Sequence, residues 1–384
     1  MDFDFTEDQN DLRNLVREFL SDRSTTRHVR AMLDDPRGYD PEMYREFVGL
    51  GALSLPEQYG GAGLGMIEQA IMLEEIGRAV YPSPFFATVV LASRAIVNSD
   101  DENAMARFIP DVCNGSTTLS FAFLEDAIDW TSSAIGATLT PGPGGYTLNG
   151  VKRFVPFGAT ADTLIVAARL AGTSGDDGVT LISVASDAPG ITIEPTQMMD
   201  QTNKVATIGF ENVVVTERDV IGDAGKTWPA IAATLESAAV AASAEMLGAS
   251  RKALEMSVDY AKVRKQFGQY IGQFQAVKHK LAEMLELVEN AHAATYYAAW
   301  AQDADAPDKS LSASVAKSTV NLASRRVCGD AIQVHGGIGF TWEYDLHLYF
   351  KRAKHLEPLY GDTDFHRERV LVETLAGRVA GVGV

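Results

Sequence analysis

The alternation of apolar and polar positions divides the chain into three zones. From Phe5 to about Arg107 the period is helical. Leu12, Leu15, Val16, Phe19 and Leu20 recur at spacings of three and four, and Thr6 with Asp8 and Gln9 close behind predicts the helix start. The stretch from Pro56 to Gly65 breaks the pattern with five glycines or prolines, and Met66 to Ala79 resumes it. From about Thr117 to Val220 the period shortens towards two. Short strands are predicted from Thr118, around Tyr146 to Leu148, over Thr163–Leu170, Val179–Ala185, Ile191–Glu194 and Val205–Val215. Asn149-Gly150 carries a hairpin signal.

From about Trp228 the chain is alanine-rich and helical again. A long helix over Ala230–Lys262 presents a stripe through Leu247, Leu254, Val258 and Ala261. The next places Phe274, Val277, Leu281, Met284, Leu285 and Val288 on one face. A third runs from about Leu311 to Val334 and a fourth follows Gly339. The fold class predicted is α+β, mostly α. It comprises an N-terminal helical domain (1–116), a small central β-barrel or sandwich (117–227) and a C-terminal four-helix bundle (228–384).

Charge and composition narrow the function classes. With 33 Lys plus Arg against 51 Asp plus Glu, the formal net charge is −18, which disfavours nucleic acid and anionic membranes as partners. Hydrophobic residues at 46% and charged residues at 22% are globular values. Two cysteines, Cys113 and Cys328, supply neither a disulfide framework nor a zinc site. The acidic N-terminus lacks the basic and apolar regions of a signal peptide, and no run of about 18 consecutive apolar residues occurs. The expected location is the cytoplasm.

Some motifs are decoys. Gly222-Asp-Ala-Gly225-Lys226-Thr227 looks like the end of a P-loop, but Val220 stands where its first glycine belongs, so a strand-to-helix turn is expected. Asn114-Gly115-Ser116 is a sequon by pattern only, and His279 and His292 stand alone on helices without metal-ligand spacing. Two segments are more specific. Tyr260 to His279 contains Arg264, Gln266, Phe267, Gly268 and Gln275, and joins the end of one long helix to the start of the next. A guanidinium, side-chain donors and amides at a helix N-terminus suit a pyrophosphate. Gln333-Val334-His335-Gly336-Gly337-Ile338-Gly339 ends a helix in a glycine turn whose bare backbone can lie close to a planar ring or a phosphate.

In this order, the two segments resemble the signature of the acyl-CoA dehydrogenases, and the resemblance covers nearly the whole chain. It implies that family's fold and assembly as a homotetramer, or as a heterotetramer with a paralogous subunit. It also implies an FAD at a subunit interface, an acyl-CoA substrate and an electron-transfer flavoprotein as acceptor. Carried over, Arg264, Gln266 and Phe267, with Gln275 nearby, contact the pyrophosphate and adenine. Gln333, Val334, His335, Gly336 and Gly337 contact the adenosine end, and Thr363 joins the cofactor-binding set.

Elsewhere the chain departs from the family. Leu124 and Phe154-Val155-Pro156 stand where a threonine and a Trp-x-Thr/Ser usually hold the flavin ring, and the Gly-Ser-Asp that follows the first strand is missing from Glu125 to Ser132. The reaction needs a carboxylate to take the α-proton. The usual Tyr-Glu-Gly-Thr reads Tyr360-Gly361-Asp362-Thr363 here, and the alternative position on the long helix matches Ala238. Asp362 and Glu245 are the candidate bases, Glu245 equally able to pair with a neighbouring helix. The departures resemble the second, base-lacking subunit of heteromeric acyl-CoA dehydrogenases, such as those acting on steroid side chains. A silent FAD-binding subunit is therefore the alternative to a complete enzyme, and an oxidase or desulfinase a third reading.

Overall fold

Short amphipathic helices open the chain: α1 (Glu7–Arg23), α2 (Thr26–Asp34), α3 (Pro41–Val48) and α4 (Met66–Ala79). A π-wound stretch, Phe86–Ser93, leads into α5 (Arg94–Asn98), and α6 spans Glu102–Cys113. Eight strands follow: β1 (Leu119–Ala122), β2 (Thr138–Gly142), β3 (Gly145–Pro156), β4 (Thr163–Leu170), β5 (Val179–Ala185), β6 (Ile191–Thr196), β7 (Val205–Thr216) and β8 (Val220–Ile221). The rest is α7 (Trp228–Val263), a small hairpin of β9 (Lys265–Gln266) and β10 (Gln269–Tyr270), α8 (Gln275–Asp303), α9 (Lys309–His335), α10 (Leu346–Leu356) and α11 (Thr363–Leu375). This computed structural model describes residues 4–50 and 54–377, so the first three residues of the acidic N-terminus lie outside it.

The chain divides into two compact units. One comprises residues 32–64 and 82–238. Its eight-stranded sheet runs β6-β7-β3-β2-β4-β5-β8, with β1 also pairing parallel to β4. Its core packs Leu139, Leu148, Leu164, Val166, Ile182, Ile208 and Phe210. The hairpin signal at Asn149-Gly150 is misplaced. Gly142 pairs with Gly145, so the turn joining β2 to β3 is Pro143-Gly144. Asn149-Gly150 lies inside β3, where the register against β7 shifts between Leu148 and Gly150. There the Asn149 carboxamide oxygen accepts from the Asn212 amide at 2.8 Å. A bulge uses the same residue types as a tight turn because both need unusual backbone angles. The P-loop look-alike is a turn between β8 and α7, as expected.

The other unit comprises residues 1–31, 65–81 and 239–384. α1 is closed by a reciprocal cap: the Thr6 hydroxyl accepts from the Gln9 amide at 3.2 Å and the Gln9 side chain accepts from the Thr6 amide at 3.1 Å. Two glycines, Gly77 of α4 and Gly248 of α7, let these helices approach closely. A methyl on Gly77 would lie 1.9 Å from the Glu245 carbonyl oxygen, and one on Gly248 would lie 1.8 Å from that of Glu74. In α7 an 18-residue stretch is apolar enough to pass as a membrane span, yet 78% of it is buried within the protein. Among the described residues the helical C-terminal region has three long helices, α7, α8 and α9. The fourth segment breaks at Glu357 to Asp362 into the short α10 and α11. Leu285, expected on the buried face of α8, is 51% exposed, while Met284 and Val288 are buried.

Candidate functional site

α7 stops at Val263, and the backbone then folds into the β9–β10 hairpin. Arg264 N–H donates to the Tyr260 carbonyl at 2.9 Å and Ile271 N–H donates to the Arg264 carbonyl at 2.8 Å. Phe267 and Gly268 form the turn, both with positive φ (51° and 80°). Positive φ is costly for a phenylalanine, and its ring is 93% exposed with one edge towards Phe274, 6.2 Å away. Arg264, Gln266 and Gln275 are exposed beside it, Gln275 with its side chain 3.0 Å from His279 Nε2. α8 begins at Gln275 without a side-chain cap.

The glycine turn lies against this hairpin. Val334 packs into a cluster with Ala261 and Ile271, and the His335 ring stacks on Tyr260 with centroids 4.4 Å apart. His335 Nδ1 lies 2.8 Å from the Ala331 carbonyl and so donates to it, leaving Nε2 to accept from the Tyr344 hydroxyl at 3.0 Å. Burial lowers the affinity of this imidazole for a second proton. Val334 and His335 therefore join the two segments, while Gln333, Gly336 and Gly337 face outward. A methyl on Gly336 or Gly337 would meet nothing within 4 Å among the described residues, which leave the room above these glycines open. Ile338, Phe340 and Trp342 continue the exposed apolar surface.

The Tyr360–Thr363 turn is held by two buried bases. The Lys317 ammonium, fully buried in α9, donates to Asn321 Oδ1 at 2.7 Å and to the carbonyls of Leu356 (3.1 Å), Glu357 (3.0 Å) and Gly361 (3.2 Å). Burial, partly offset by Glu357 and Asp362, pushes its pKa down to about 7. His366 Nε2–H donates to the Tyr360 carbonyl at 2.9 Å, and its Nδ1 accepts from the Ser314 hydroxyl at 3.2 Å. Its pKa is pushed down to about 3, first by burial and then by Lys317.

Neither carboxylate considered as the base stands free for that role in this geometry. Asp362 caps α11, accepting from the Phe365 amide at 2.9 Å. Glu245 forms a buried ion pair with Arg352 of α10 at 2.5 Å. Glu236 and Ala238 fall in the part of α7 that belongs to the sheet-containing unit. Position 361 admits no side chain. Its φ is +102°, and a methyl there would lie 2.4 Å from Phe365 and 2.5 Å from His366. The Thr363 hydroxyl is buried without a hydrogen-bond partner among the described residues.

In the sheet-containing unit, Leu124 is buried and its carbonyl accepts from the Arg153 amide at 2.8 Å. Phe154 takes φ +50° in an irregular stretch of β3, and the Pro156 carbonyl accepts from the Ser120 hydroxyl at 2.5 Å. Beside them Lys152 is fully buried, donating to the Phe123 carbonyl at 3.0 Å and to Glu125 Oε1 at 2.7 Å. Burial lowers the pKa of this lysine, and Glu125 partly restores it. Phe123 stacks on Trp130 with centroids 5.8 Å apart. Sequence reasoning missed Lys317, His366, Arg352 and Lys152. For Lys317 a signal was available: a lone lysine in the small-residue run Ser312-Ala-Ser-Val-Ala-Lys317-Ser of a helix expected to be packed.

Known proteins resemble this chain in sequence and fold. The acyl-CoA dehydrogenase N-terminal, middle and C-terminal domain patterns match residues 6–116, 129–213 and 225–374. A protein named acyl-CoA dehydrogenase IpdE2, from Mycolicibacterium smegmatis, is 32% identical over 359 residues, covering 93% of this chain and 95% of the relative. The butyryl-CoA dehydrogenase structure from Megasphaera elsdenii superimposes with a TM-score of 0.89 at 27% identity, over 98% of this chain and 100% of that one. A chain of the ChsE4-ChsE5 complex from Mycobacterium tuberculosis does so at 0.86 and 25% identity, over 98% and 99%. On this evidence the chain belongs to the acyl-CoA dehydrogenase family, oxidoreductases whose members are flavoproteins.

Proposed function

We propose that this chain serves the α,β-dehydrogenation of an acyl-CoA thioester, with FAD bound through Arg264, Gln266, Phe267, Gln275, Gln333, Gly336, Gly337 and Thr363. The observation that carries the reading is the meeting of the two turns. Hairpin and glycine turn are locked together by Tyr260–His335 stacking, yet both present outward faces. The residues present fit the adenosine and pyrophosphate half of FAD. Among the described residues, an uncapped α8 N-terminus leaves amides for an anion, the Thr363 hydroxyl lacks a partner, and the space at Gly336 and Gly337 is open. FAD, when bound, accepts the β-hydride. Arg264 would neutralise the pyrophosphate, Phe267 would cover the adenine, and Val334 and His335 would hold the glycine turn in place. The electron acceptor is an electron-transfer flavoprotein, and the substrate a lipid- or steroid-derived thioester.

A second reading is favoured by the 360–363 turn: a related chain in the same tetramer supplies the carboxylate, and this chain completes the cofactor site. Gly361 excludes a side chain, Asp362 is a helix cap and Glu245 is paired. The visible spectrum of the chain purified alone, followed by anaerobic addition of a panel of acyl-CoAs, separates the two. A flavin band that bleaches means a complete enzyme. A colourless chain that becomes yellow and active only with a paralogue carrying the glutamate means a half-site. Asp362→Asn sharpens the first outcome, because asparagine caps a helix as well as aspartate does. Loss of α-proton exchange with FAD still bound would identify Asp362 as the base.

A further inference from the structure

One cavity in the unit built from α1, α4 and the C-terminal helices lies outside both turns and the 360–363 region. Its volume is about 300 Å³, and its lining includes Arg17, Ser24, Thr26, Arg78, Lys252 and Tyr349. Ser24 ends α1, its amide donating to the Leu20 carbonyl at 2.9 Å. Its hydroxyl has no hydrogen-bond partner among the described residues, although the residue is only 6% exposed. A buried hydroxyl left unpaired is unfavourable unless something outside the chain completes it.

The surroundings specify what that something is. α2 starts two residues later; the His28 amide donates to the Thr25 hydroxyl at 3.4 Å, which leaves the Thr26 and Arg27 amides without intrahelical partners. Arg17 and Arg78 are each fixed by two-point contacts, Arg17 to Glu75 at 2.6 and 2.9 Å and Arg78 to Glu255 at 2.5 and 2.6 Å. Lys252 has no carboxylate partner among the described residues. Arg17 and Arg78 are thus balanced by Glu75 and Glu255, and Lys252 is the cation of the lining without a counter-ion among the described residues. In a chain of net charge −18, an uncompensated ammonium at a cavity is a local excess of positive charge.

We propose that the cavity binds a phosphate-class oxyanion, free or as the terminal group of a small metabolite. The Ser24 hydroxyl, the first α2 amides and the Lys252 ammonium are its donors. A tetrahedral dianion uses donors arriving from three elements better than a planar carboxylate does. The volume exceeds that of the ion alone, which leaves space for an attached body. The site is independent of the flavin reading.

The test is calorimetric titration of the full chain with inorganic phosphate, in buffer containing excess FAD to occupy the pyrophosphate-binding turns. Saturable one-to-one binding is expected, weakened at least about fivefold by Ser24→Ala and by Lys252→Ala. Lys226→Ala, which removes an exposed charge from the other unit, leaves it unchanged. Ser24→Ala deletes an unpaired buried group and so folds normally, which its melting temperature without phosphate verifies. Absence of saturable binding, or equal affinity in the wild type and both cavity variants, overturns the proposal. A parallel titration with ribose 5-phosphate distinguishes the sources. Tighter binding than inorganic phosphate supports a phosphorylated metabolite, and exclusion of the sugar supports the free ion.

Discussion

The Lys317 ammonium donates to the Gly361 carbonyl at 3.2 Å, tying α9 to the Tyr360–Thr363 turn. The same nitrogen reaches Asn321 and the carbonyls of Leu356 and Glu357, so one buried charge organises the whole connection between α10 and α11. Lys317→Met strands those acceptors and is expected to cost about 3 kcal/mol in urea unfolding. The pH dependence gives an independent signature. The folded lysine loses its proton near 7, whereas the unfolded one holds it to about 10.4. Between those values the unfolded state binds more protons, so wild-type stability gains from this group as pH rises, by at most about 1.4 kcal/mol per unit. A rise between pH 7 and 9 that persists unchanged in Lys317→Met would assign it to other groups.

Burial acts on His366 in the opposite pH range. Its folded pKa near 3 lies below the ordinary value of about 6.5, and the neutral ring donates to Tyr360. The stability this provides is complete above pH 6.5 and is lost as pH falls towards 3. His366→Gln is expected to lower stability at pH 7 by about 1–2 kcal/mol while flattening the acid limb. Unfolding curves at pH 5 and pH 7 measure both effects. A variant with the wild-type acid slope rules His366 out as its source.

Gly361 limits what the 360–363 turn can carry. A side chain would take φ +102° and strike Phe365 and His366, so Gly361→Ala should cost about 2–4 kcal/mol. Gly361→Glu is expected to be at least as unstable and to gain no α-proton exchange in deuterated buffer with an acyl-CoA. Exchange gained with normal stability would mean that the turn rearranges readily and that the base is absent by substitution alone.

The sequence pattern located the elements well where a whole run is buried between turn residues. Met66–Ala79, Thr163–Leu170 and Val179–Ala185 have the same bounds in the structure. It failed where a local signal had two physical meanings. Asn149-Gly150 serves a bulge as readily as a turn, and the region after Gly339 looked like one helix because the break at Glu357 to Asp362 is held by Lys317, 40 residues or more away. The two open turns were legible because their residues are contiguous. The partner of Glu245 was not, since Arg352 lies 107 positions on and only tertiary packing brings them together. Glu245→Gln should therefore act on stability, costing about 3–5 kcal/mol by leaving Arg352 poorly compensated in the interior. Normal stability with lost proton exchange would return Glu245 to the role of base.

Phe267 offers the sharpest test of the cofactor reading, because its own fold gains nothing from it. The ring is 93% exposed on a backbone at φ +51°, so Phe267→Ala should change the melting temperature of the isolated chain by no more than about 2 °C. If the ring covers a bound adenine, its removal gives up apolar burial worth about 1.5–3 kcal/mol, and FAD affinity falls at least about tenfold. Arg264→Ala should weaken FAD by a similar factor through the lost charge-assisted contact, and more steeply at low salt, where that contact is least screened. Fluorescence titration of FAD against the assembled protein, at two salt concentrations, separates the apolar contribution from the ionic one. Equal affinity in wild type and both variants would detach the hairpin from the flavin and leave its exposed phenylalanine as a contact to another subunit.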